Sequence, residues 1–319
     1  MKREPKRKEQ IKKRIRSHKI RRLVALFLLV AATCVLVYPS FADALSDMKQ
    51  IIVIGGLSDS LSMLSEEEIF GLKEEAQHYN DLIWRSQQSR YFHYEGEEYD
   101  DELYDAILRT SPASAIMAYV EIPKTGAYLP IVHGTKASDL TYQAGHMHGT
   151  SVPIGGINTH CVISAHTGLE SATLFTGIDK LKQGDQVYIH VLNEIHVYTV
   201  RKSNTVLPGE ADFYLQIEEG KDLITLYTCT PYGINSHRLL VTCERTGDLD
   251  PSAVSGRNNI DSRSIEALIR VILWVLIPAG LLAAGLILIF SRKGRRLLDK
   301  LFRVTTGEFK QFTDGRRRT

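Results

Sequence analysis

Cys229 is the residue whose type and position point most directly to chemistry. It follows an apolar run, residues 223–227, that is typical of a β-strand, and it precedes a turn that begins at Pro231. Arg238 opens the next apolar run, so a hairpin between the two strands would place Cys229 and Arg238 opposite each other. A guanidinium lowers a thiol pKa and can donate to the oxyanion that forms when a thiolate attacks an amide carbonyl. The pattern therefore indicates thiol chemistry.

Such chemistry also needs a group that exchanges protons, and His166 is the candidate. It stands at the end of another apolar run, residues 161–165, and could reach the same rim from a neighbouring strand. A cysteine at a strand end is more often a packing residue than a nucleophile, so spacing alone leaves both interpretations open. Cys161 and Cys243 lie on apolar runs and are predicted to be core residues.

Three further histidines compete with His166 for a functional role: His146, His148 and His160. They lack a carboxylate or cysteine at metal-ligand spacing, so solvated loop histidines are predicted here and not a metal site. The Gly-rich residues 149–156 lack the lysine and the following helix of a phosphate-binding loop. The sequence thus predicts neither a metal nor another cofactor.

Short apolar runs from residue 115 onward are the elements that must position these side chains. Seven or eight short strands separated by turn residues predict a mainly β domain, a closed barrel or a sandwich, over residues 112–248. The runs are residues 117–122, 129–132, 161–165, 186–191, 196–200, 223–227 and 238–242.

A helical N-terminal extension, residues 45–111, precedes the β domain. Residues 65–93 show helical apolar spacing, and Ser65 with Glu68 forms the signature of a capping box. A second short helical pattern ends near Leu108.

Charge and apolar runs indicate a membrane protein. The 319 residues carry a net charge of +2, but residues 1–22 hold 12 basic and 2 acidic residues, and residues 291–319 hold 10 and 3. The middle, with 17 basic and 32 acidic residues, is acidic, which argues against a nucleic-acid partner. The apolar composition of 44% excludes disorder for the bulk of the chain.

Two apolar runs lie inside those basic flanks. Residues 23–39 form either a signal sequence, with cleavage possible after Ala44, or a retained anchor behind a cytoplasmic leader. Residues 271–290 are long enough for a transmembrane helix, with a linker at residues 249–264 before it and a cytoplasmic tail after it. The acidic middle is then predicted to be extracellular, with both termini cytoplasmic unless the first segment is cleaved.

The stretch around Cys229 closely resembles the active-site segment of the sortases, and specifically of class C, the pilin-polymerising branch. Residues 225–241 read TLYTCTPYGINSHRLLV. Residues 145–156, 164–166 and 174–185 support the resemblance in the family's order. The resemblance implies an eight-stranded closed β-barrel, flanked here by two membrane-spanning segments.

The resemblance also implies an activity and a role for each residue. Cys229 would attack the Thr-Gly bond of an LPXTG-type sorting signal, His166 would protonate the departing amine, and Arg238 would hold the substrate and the oxyanion. The thioacyl enzyme would be resolved by a lysine of the next pilin subunit, without a cofactor. Substrate-binding positions would fall at Thr228, Thr230 and Asn235.

Two alternatives and one departure from the family pattern remain. The acceptor could be a peptidoglycan amine, as in cell-wall anchoring, or the barrel could bind sorting signals without catalysis. Many class C sortases carry an Asp-Pro-aromatic lid motif, but this chain has no proline between Pro39 and Pro112. Residues 94–108 occupy the lid region without that motif, so we expect a less occluded site.

Overall fold

The structure is a computed structural model that describes residues 4–88, 101–111, 115–136, 139–169, 171–250, 260–291 and 294. The chain divides into two compact units. One comprises residues 1–41 and 270–319, and the other comprises residues 42–269. Every candidate site residue lies in the second unit.

Eight strands form that unit's centre: β1 (Ile116–Ile122), β2 (Ala127–His133), β3 (Ala144–His146), β4 (Thr159–Ser164), β5 (Gln186–Val191), β6 (Glu194–Val206), β7 (Asp222–Thr230) and β8 (His237–Leu249). They close into a barrel in the order β1-β2-β3-β4-β7-β8-β6-β5. The β2–β3 and β4–β7 pairs are parallel, and the other pairs are antiparallel. The predicted eight-stranded closed β-barrel is confirmed.

Strand β3 is the one element of the barrel that the apolar pattern did not indicate. It has three residues, too few for an alternation to be recognised, and it closes the gap between β2 and β4. Strands β6 and β8 are longer than predicted, at 13 residues each, because they pair with each other along almost their whole length.

The barrel interior is filled by alternate residues of the strands, as the period of two requires. On β7 and β8 the inward-facing residues include Ile224, Leu226, Leu239 and Val241, all in the main apolar cluster. A second apolar cluster lies on the outer face under the connection from β6 to β7, which contains the short helix α4 (Ala211–Tyr214). We call this second group the outer cluster: Val162, Val206, Ala211, Leu215 and Leu240, with Met147, Tyr214 and Tyr227 at its edge.

Three helices precede the barrel: α1 (Glu4–Ser62), α2 (Glu66–Gln88) and α3 (Asp101–Ala106). The predicted capping box at the start of α2 is present, since the Glu68 amide donates to Ser65 Oγ at 3.2 Å and the Ser65 amide donates to Glu68 Oε2 at 2.8 Å. The apolar stripe of α2 lies against the barrel core through Ala76, Tyr79 and Ile83. Residues 89–93 of the predicted helix lie outside the described residues.

Helix α1 runs through the predicted leader, the first apolar run and the start of the predicted helical extension. It continues unbroken to Ser62, and its last part packs on the outside of the barrel. Leu57 and Leu61 contact a small cluster with Ile116 and Val132. Packing against the barrel stabilises this last part of the helix.

Helix α5 (Ile260–Phe290) is the last described helix. Among the described residues, two helical segments are long and apolar enough to cross a membrane, Ile20–Ser62 and Ile265–Leu288. They include the whole of the first predicted run and residues 271–288 of the second. Within the first unit, Gly285 of α5 lies directly against Leu26 of α1. Of the predicted linker, Leu249 still belongs to β8, residues 251–259 lie outside the described residues, and residues 260–264 are helical.

Two of the three histidines predicted to be solvated are buried, and for them the prediction is wrong. His146 Nε2 lies 2.9 Å from the Ser151 carbonyl and His146 Nδ1 lies 2.8 Å from the Tyr104 hydroxyl. His160 Nδ1 lies 2.8 Å from the Gln216 carbonyl. These bonds join distant segments to the barrel, and burial lowers the pKa of His146 to about 3 and that of His160 to about 4.

We expect the barrel to lose stability in acid because of these two histidines. The unfolded chain protonates His146 and His160 near pH 6.5, whereas the folded chain keeps both neutral down to about pH 4. The free energy of unfolding should therefore fall by roughly 1 kcal/mol per pH unit for each histidine as the pH drops below 6.5. Urea midpoints measured across this range test it, and His160→Gln should show a shallower slope. An unchanged slope in that variant would contradict a neutral, buried His160.

The Gly-rich residues 149–156 have a packing role at the end of the barrel far from Cys229. Gly155 has φ +67, and a Cβ atom there would lie 2.8 Å from Asp222 Oδ2 and 2.5 Å from Arg245 Nη1. The Gly156 amide donates to Asp222 Oδ2 at 2.7 Å. Glycine lets the backbone close over this carboxylate.

Candidate active site

The hairpin of β7 and β8 places Cys229 directly opposite Arg238. The two residues are register partners, flanked by the pairs Thr228–Leu239 and Thr230–His237. This register confirms the prediction made from the spacing of the two apolar runs. Because register partners in an antiparallel pair point to the same face, the side chains of Cys229 and Arg238 leave the same face of the hairpin.

His166 reaches the same rim from β4, which pairs in parallel with β7. The last register pair joins Ser164 to Tyr227, so two residues further along each chain lie His166 and Cys229. The pairing continues past the strand end, since the Ala165 amide donates to the Tyr227 carbonyl at 3.2 Å. We call His166, Cys229 and Arg238 the rim triad. They stand at the ends of three adjacent strands, β4, β7 and β8.

The rim triad belongs to the outer face of the barrel. Cys229 shares its side of β7 with Tyr227, and Arg238 shares its side of β8 with Leu240. Both of those neighbours belong to the outer cluster, whose main members are buried under the β6–β7 connection and whose edge, with Tyr227, is half-buried. Burial raises the pKa of the Tyr227 phenol, although the Arg238 guanidinium acts in the opposite direction. Tyr227 therefore presents a neutral hydroxyl next to the site.

The backbone of the β7–β8 loop orients the Arg238 guanidinium. Arg238 Nη1 donates to the Asn235 carbonyl at 3.2 Å and to the His237 carbonyl at 3.1 Å. Asn235 adopts a left-handed conformation with φ 58, which asparagine tolerates better than most residues. A guanidinium carries five N–H donors, so three beyond those at Nη1 can point towards a bound carbonyl oxygen. An arginine held by one end can therefore act as an oxyanion donor with the other.

The three residues predicted to bind substrate occupy different environments. Thr228 is buried with 2% exposure, and its hydroxyl donates to the Ala165 carbonyl at 2.7 Å. Thr230 is half-buried at the last register position of β7, and Asn235 is exposed in the loop. The contact of Thr228 fixes the backbone next to His166. Direct substrate binding by these three residues stays a prediction.

We expect Thr228→Val to slow catalysis by loosening the position of His166. Valine keeps the shape of threonine but leaves the Ala165 carbonyl without its buried donor, which costs about 1 kcal/mol of unfolding free energy. Single-turnover acylation and urea unfolding measure the two effects, and Thr228→Ser, which keeps the hydroxyl, is the control. A serine variant as slow as the valine variant would contradict this role for the hydroxyl.

The remaining cysteines stand apart from the rim triad. Cys161 and Cys243 are buried core thiols, as predicted, and burial raises the pKa of both. Cys34 lies in the first unit, and all four thiols are free. Among the residues described, no group of three or more His, Cys, Asp or Glu side chains could hold a metal ion.

Part of the predicted lid region belongs to the packed core. Tyr104 of α3 is buried, and its hydroxyl accepts from the Gly134 amide at 2.9 Å. Ile107 and Leu108 are fully buried in the main apolar cluster. Residues 94–100 of that region lie outside the described residues, so the expectation of a less occluded site stays a prediction.

Comparison with known proteins gives one sequence family. Residues 120–246 match the family model for the sortase domain. Sortase A of Streptococcus agalactiae serotype III (strain NEM316) is 29% identical over 137 residues, which are 42% of this chain and 55% of that protein. The chain thus spans little more than half the length of the curated relatives that it matches first.

Solved structures resemble a larger part of the chain. Sortase C1 from Streptococcus agalactiae is 37% identical, with a TM-score of 0.55 over 61% of this chain and 97% of that one. Sortase C from Clostridium perfringens, solved with the C-terminal cell wall sorting motif, is 38% identical, with a TM-score of 0.52 over 61% of this chain and 97% of that one. Both resemblances extend beyond residues 120–246.

Proposed function

The chain belongs to the sortase family of cysteine transpeptidases, and from this premise we propose that it polymerises pilins. It cleaves an LPXTG-type sorting signal between threonine and glycine and transfers the acyl group to a lysine amine of a pilin subunit. The rim triad is the observation that carries the proposal, because its nucleophile, proton donor and oxyanion donor stand on three adjacent strand ends.

In the first half-reaction the Cys229 thiolate attacks the threonine carbonyl carbon of the sorting signal. The carbonyl oxygen becomes an oxyanion, which the Arg238 guanidinium stabilises by charge and hydrogen bonds. As the tetrahedral intermediate collapses, the carbon–nitrogen bond breaks and His166 gives its proton to the departing glycine amine. The product is a thioester between Cys229 and the threonine, and neutral His166 remains.

In the second half-reaction a lysine amine of the acceptor attacks the thioester carbonyl. Neutral His166 accepts the proton that the attacking amine loses, Arg238 again holds the oxyanion, and the Cys229 thiolate departs. The step forms one isopeptide bond and restores the starting protonation states. The energy of the original peptide bond is kept in the thioester, so the cycle draws on no external energy source.

The outer cluster supports a sorting signal with an apolar end. Its buried members Leu240 and Val206 underlie Arg238, since Leu240 shares the side of β8 with Arg238 and Val206 is its register partner on β6. Its half-buried edge includes Tyr227, on the same side of β7 as Cys229. An extended peptide that runs along this edge to Cys229 would bury its leucine and proline on apolar atoms and leave threonine at the thiol. The Clostridium perfringens relative, solved with a cell wall sorting motif, supports the same class of substrate.

The choice of a pilin lysine as the acceptor is the more specific part of the proposal. It rests on the class C relatives among the solved structures and on the match of residues 225–241 to the class C active-site segment. Curated relatives carry the names Sortase A and Sortase D, which do not specify class C, and a cell-wall amine stays the competing acceptor. The nucleophilic half of the reaction is the same for both.

We further propose that the barrel is extracellular and held by two membrane helices. The two candidate spans flank the barrel in sequence, and the basic ends beyond them favour the cytoplasm. We infer that the first segment is retained. Cleavage after Ala44 would cut an unbroken helix at a buried residue and would remove Asp43, which hydrogen-bonds Thr173 in the loop that follows His166.

Intact mass spectrometry of the full chain in detergent micelles tests the activity. The chain is incubated with an LPXTG peptide and either a pilin domain that carries an accessible lysine or a short amine of the cell-wall type. We expect the protein to gain the mass of the peptide up to threonine and then lose it to the pilin lysine with an isopeptide-linked product.

The arms of this experiment separate the alternatives. An adduct that resolves only with the wall-type amine would replace the pilin acceptor by peptidoglycan. Binding of the peptide with neither adduct nor product would support a binding module and contradict catalysis. The Cys229→Ala variant controls for acylation at another thiol.

A further inference from the structure

The loop that follows His166 is hydrogen-bonded to helix α1 at a residue just beyond the apolar run of that helix. Asp43 Oδ1 accepts hydrogen bonds from the backbone amide of Thr173 at 2.7 Å and from its hydroxyl at 2.6 Å. Asp43 is the first charged residue after residues 23–42, an uncharged run of the length that spans a bilayer. Thr173 therefore lies within hydrogen-bond reach of the point where the chain leaves its apolar run.

The same loop supports the β7–β8 loop that carries part of the active site. Gly168 has φ +77, and a Cβ atom there would lie 3.1 Å from two ring carbons of Tyr232. The Tyr232 ring thus rests on the Gly168 backbone. Because Gly168 and Thr173 belong to one short loop, the connection runs from Asp43 through this loop to Tyr232. All of these residues belong to the same compact unit.

The β7–β8 loop exposes two large apolar side chains. Tyr232 is 63% exposed and Ile234 is 71% exposed, two residues apart. Exposure of these side chains to water is unfavourable, because transfer of apolar surface from water into an apolar environment lowers the free energy. Tyrosine beside an aliphatic residue suits the boundary between headgroups and acyl chains, where the ring is buried and its hydroxyl stays hydrated.

We propose that Tyr232 and Ile234 insert into the interface of the outer membrane leaflet, so that the rim triad opens at the membrane surface. The inference rests on the membrane attachment proposed above. The proposed partner of the β7–β8 loop is the lipid bilayer. A substrate anchored in the same membrane then meets Cys229 without its cleavage site having to move far into solution.

Tryptophan quenching in vesicles tests the contact with the full chain. The protein has two tryptophans, Trp84 and Trp274, and the second lies in the apolar helix Ile265–Leu288. Three single-tryptophan proteins are compared: one that keeps Trp274, and two without native tryptophans that carry Ile234→Trp or Met63→Trp. Met63 is 83% exposed and lies about 30 Å of helix beyond Asp43.

Each protein is reconstituted in phosphatidylcholine and phosphatidylglycerol vesicles with lipids brominated on the acyl chains. We expect strong loss of emission for Trp274 and for Ile234→Trp, and little loss for Met63→Trp. No quenching of Trp274 would refute the membrane attachment itself. Quenching of Trp274 with Ile234→Trp no more quenched than Met63→Trp would overturn this inference and leave the attachment intact.

A kinetic comparison separates the membrane from a peptide as the partner of the loop. Ile234→Ser should slow acylation by a sorting-signal substrate anchored in the same vesicles and leave acylation by a soluble LPXTG peptide unchanged. An equal loss with both substrates would mean that the loop contacts the peptide, and it would overturn the proposed lipid contact.

Discussion

Replacement of Cys229 by alanine is expected to abolish thioester formation and transfer while leaving the barrel folded. Cys229 is half-buried at a strand end, so alanine removes the sulfur without opening a cavity in the core. The covalent intermediate cannot form without the thiol, and turnover should fall about 10⁵-fold or more. Intact mass after incubation with an LPXTG peptide measures the adduct, and chromatography of the reaction mixture measures product.

Cys243→Ser is the matched control for that variant. Cys243 lies on β8 but faces the core, where burial raises its thiol pKa and keeps it protonated. The serine variant should acylate at close to the normal rate, although a polar group in the core lowers the unfolding free energy. Acylation of the Cys229→Ala protein by the peptide would contradict the assignment of Cys229 as the nucleophile. A Cys243→Ser protein that folds but is not acylated would contradict it as well.

The sequence could predict that Cys229 and Arg238 lie opposite each other, because both residues are next to the same turn. A hairpin's register follows from its loop, and the loop here is bounded by two clear apolar runs. Local sequence carries all of that information. The number of strands could be predicted from local sequence as well. Strand β3 was missed because three residues are too few to show an alternating pattern.

The approach of His166 to the same rim depends on information that the local sequence does not hold. Strands β4 and β7 are parallel and separated by β5 and β6 in the chain, so their register is set by how the whole barrel closes. The sequence indicated a histidine at a strand end, and only the barrel order makes that strand a neighbour of β7. The resemblance to the sortases implied that His166 and Cys229 share one active site, but it did not give the pairing of the two strands.

Burial of His146 and His160 could not be predicted for a related reason. The partners that satisfy their ring nitrogens include Tyr104 and Gln216, which are 42 and 56 residues away in the chain. A histidine in a polar, Gly-rich stretch looks solvated until those partners are known. Asp43 and Thr173 are 130 residues apart in the chain, and the sequence around neither residue indicates their contact.

Removal of the Arg238 side chain is expected to lower the rate constant of acylation by about 10²–10³-fold, the effect of losing one oxyanion donor. Arg238 faces Cys229 across the hairpin, and its guanidinium is oriented by the carbonyls of Asn235 and His237. The loss should appear in kcat more than in KM, because the oxyanion exists only in the transition state and the tetrahedral intermediate. Pre-steady-state acylation of Arg238→Ala by an LPXTG peptide measures it.

Arg238→Lys separates the charge from the geometry. Lysine keeps the positive charge but has a single nitrogen, which cannot hold the two loop carbonyls and donate to an oxyanion in the way that a planar guanidinium can. We therefore expect the lysine variant to recover only a small part of the lost rate. Arg201→Lys on β6, whose ion pair with Glu218 lies at the surface, is the matched control and should acylate normally. Full recovery in Arg238→Lys would show that charge alone suffices, and a rise confined to KM would make Arg238 a substrate-binding residue instead of an oxyanion donor.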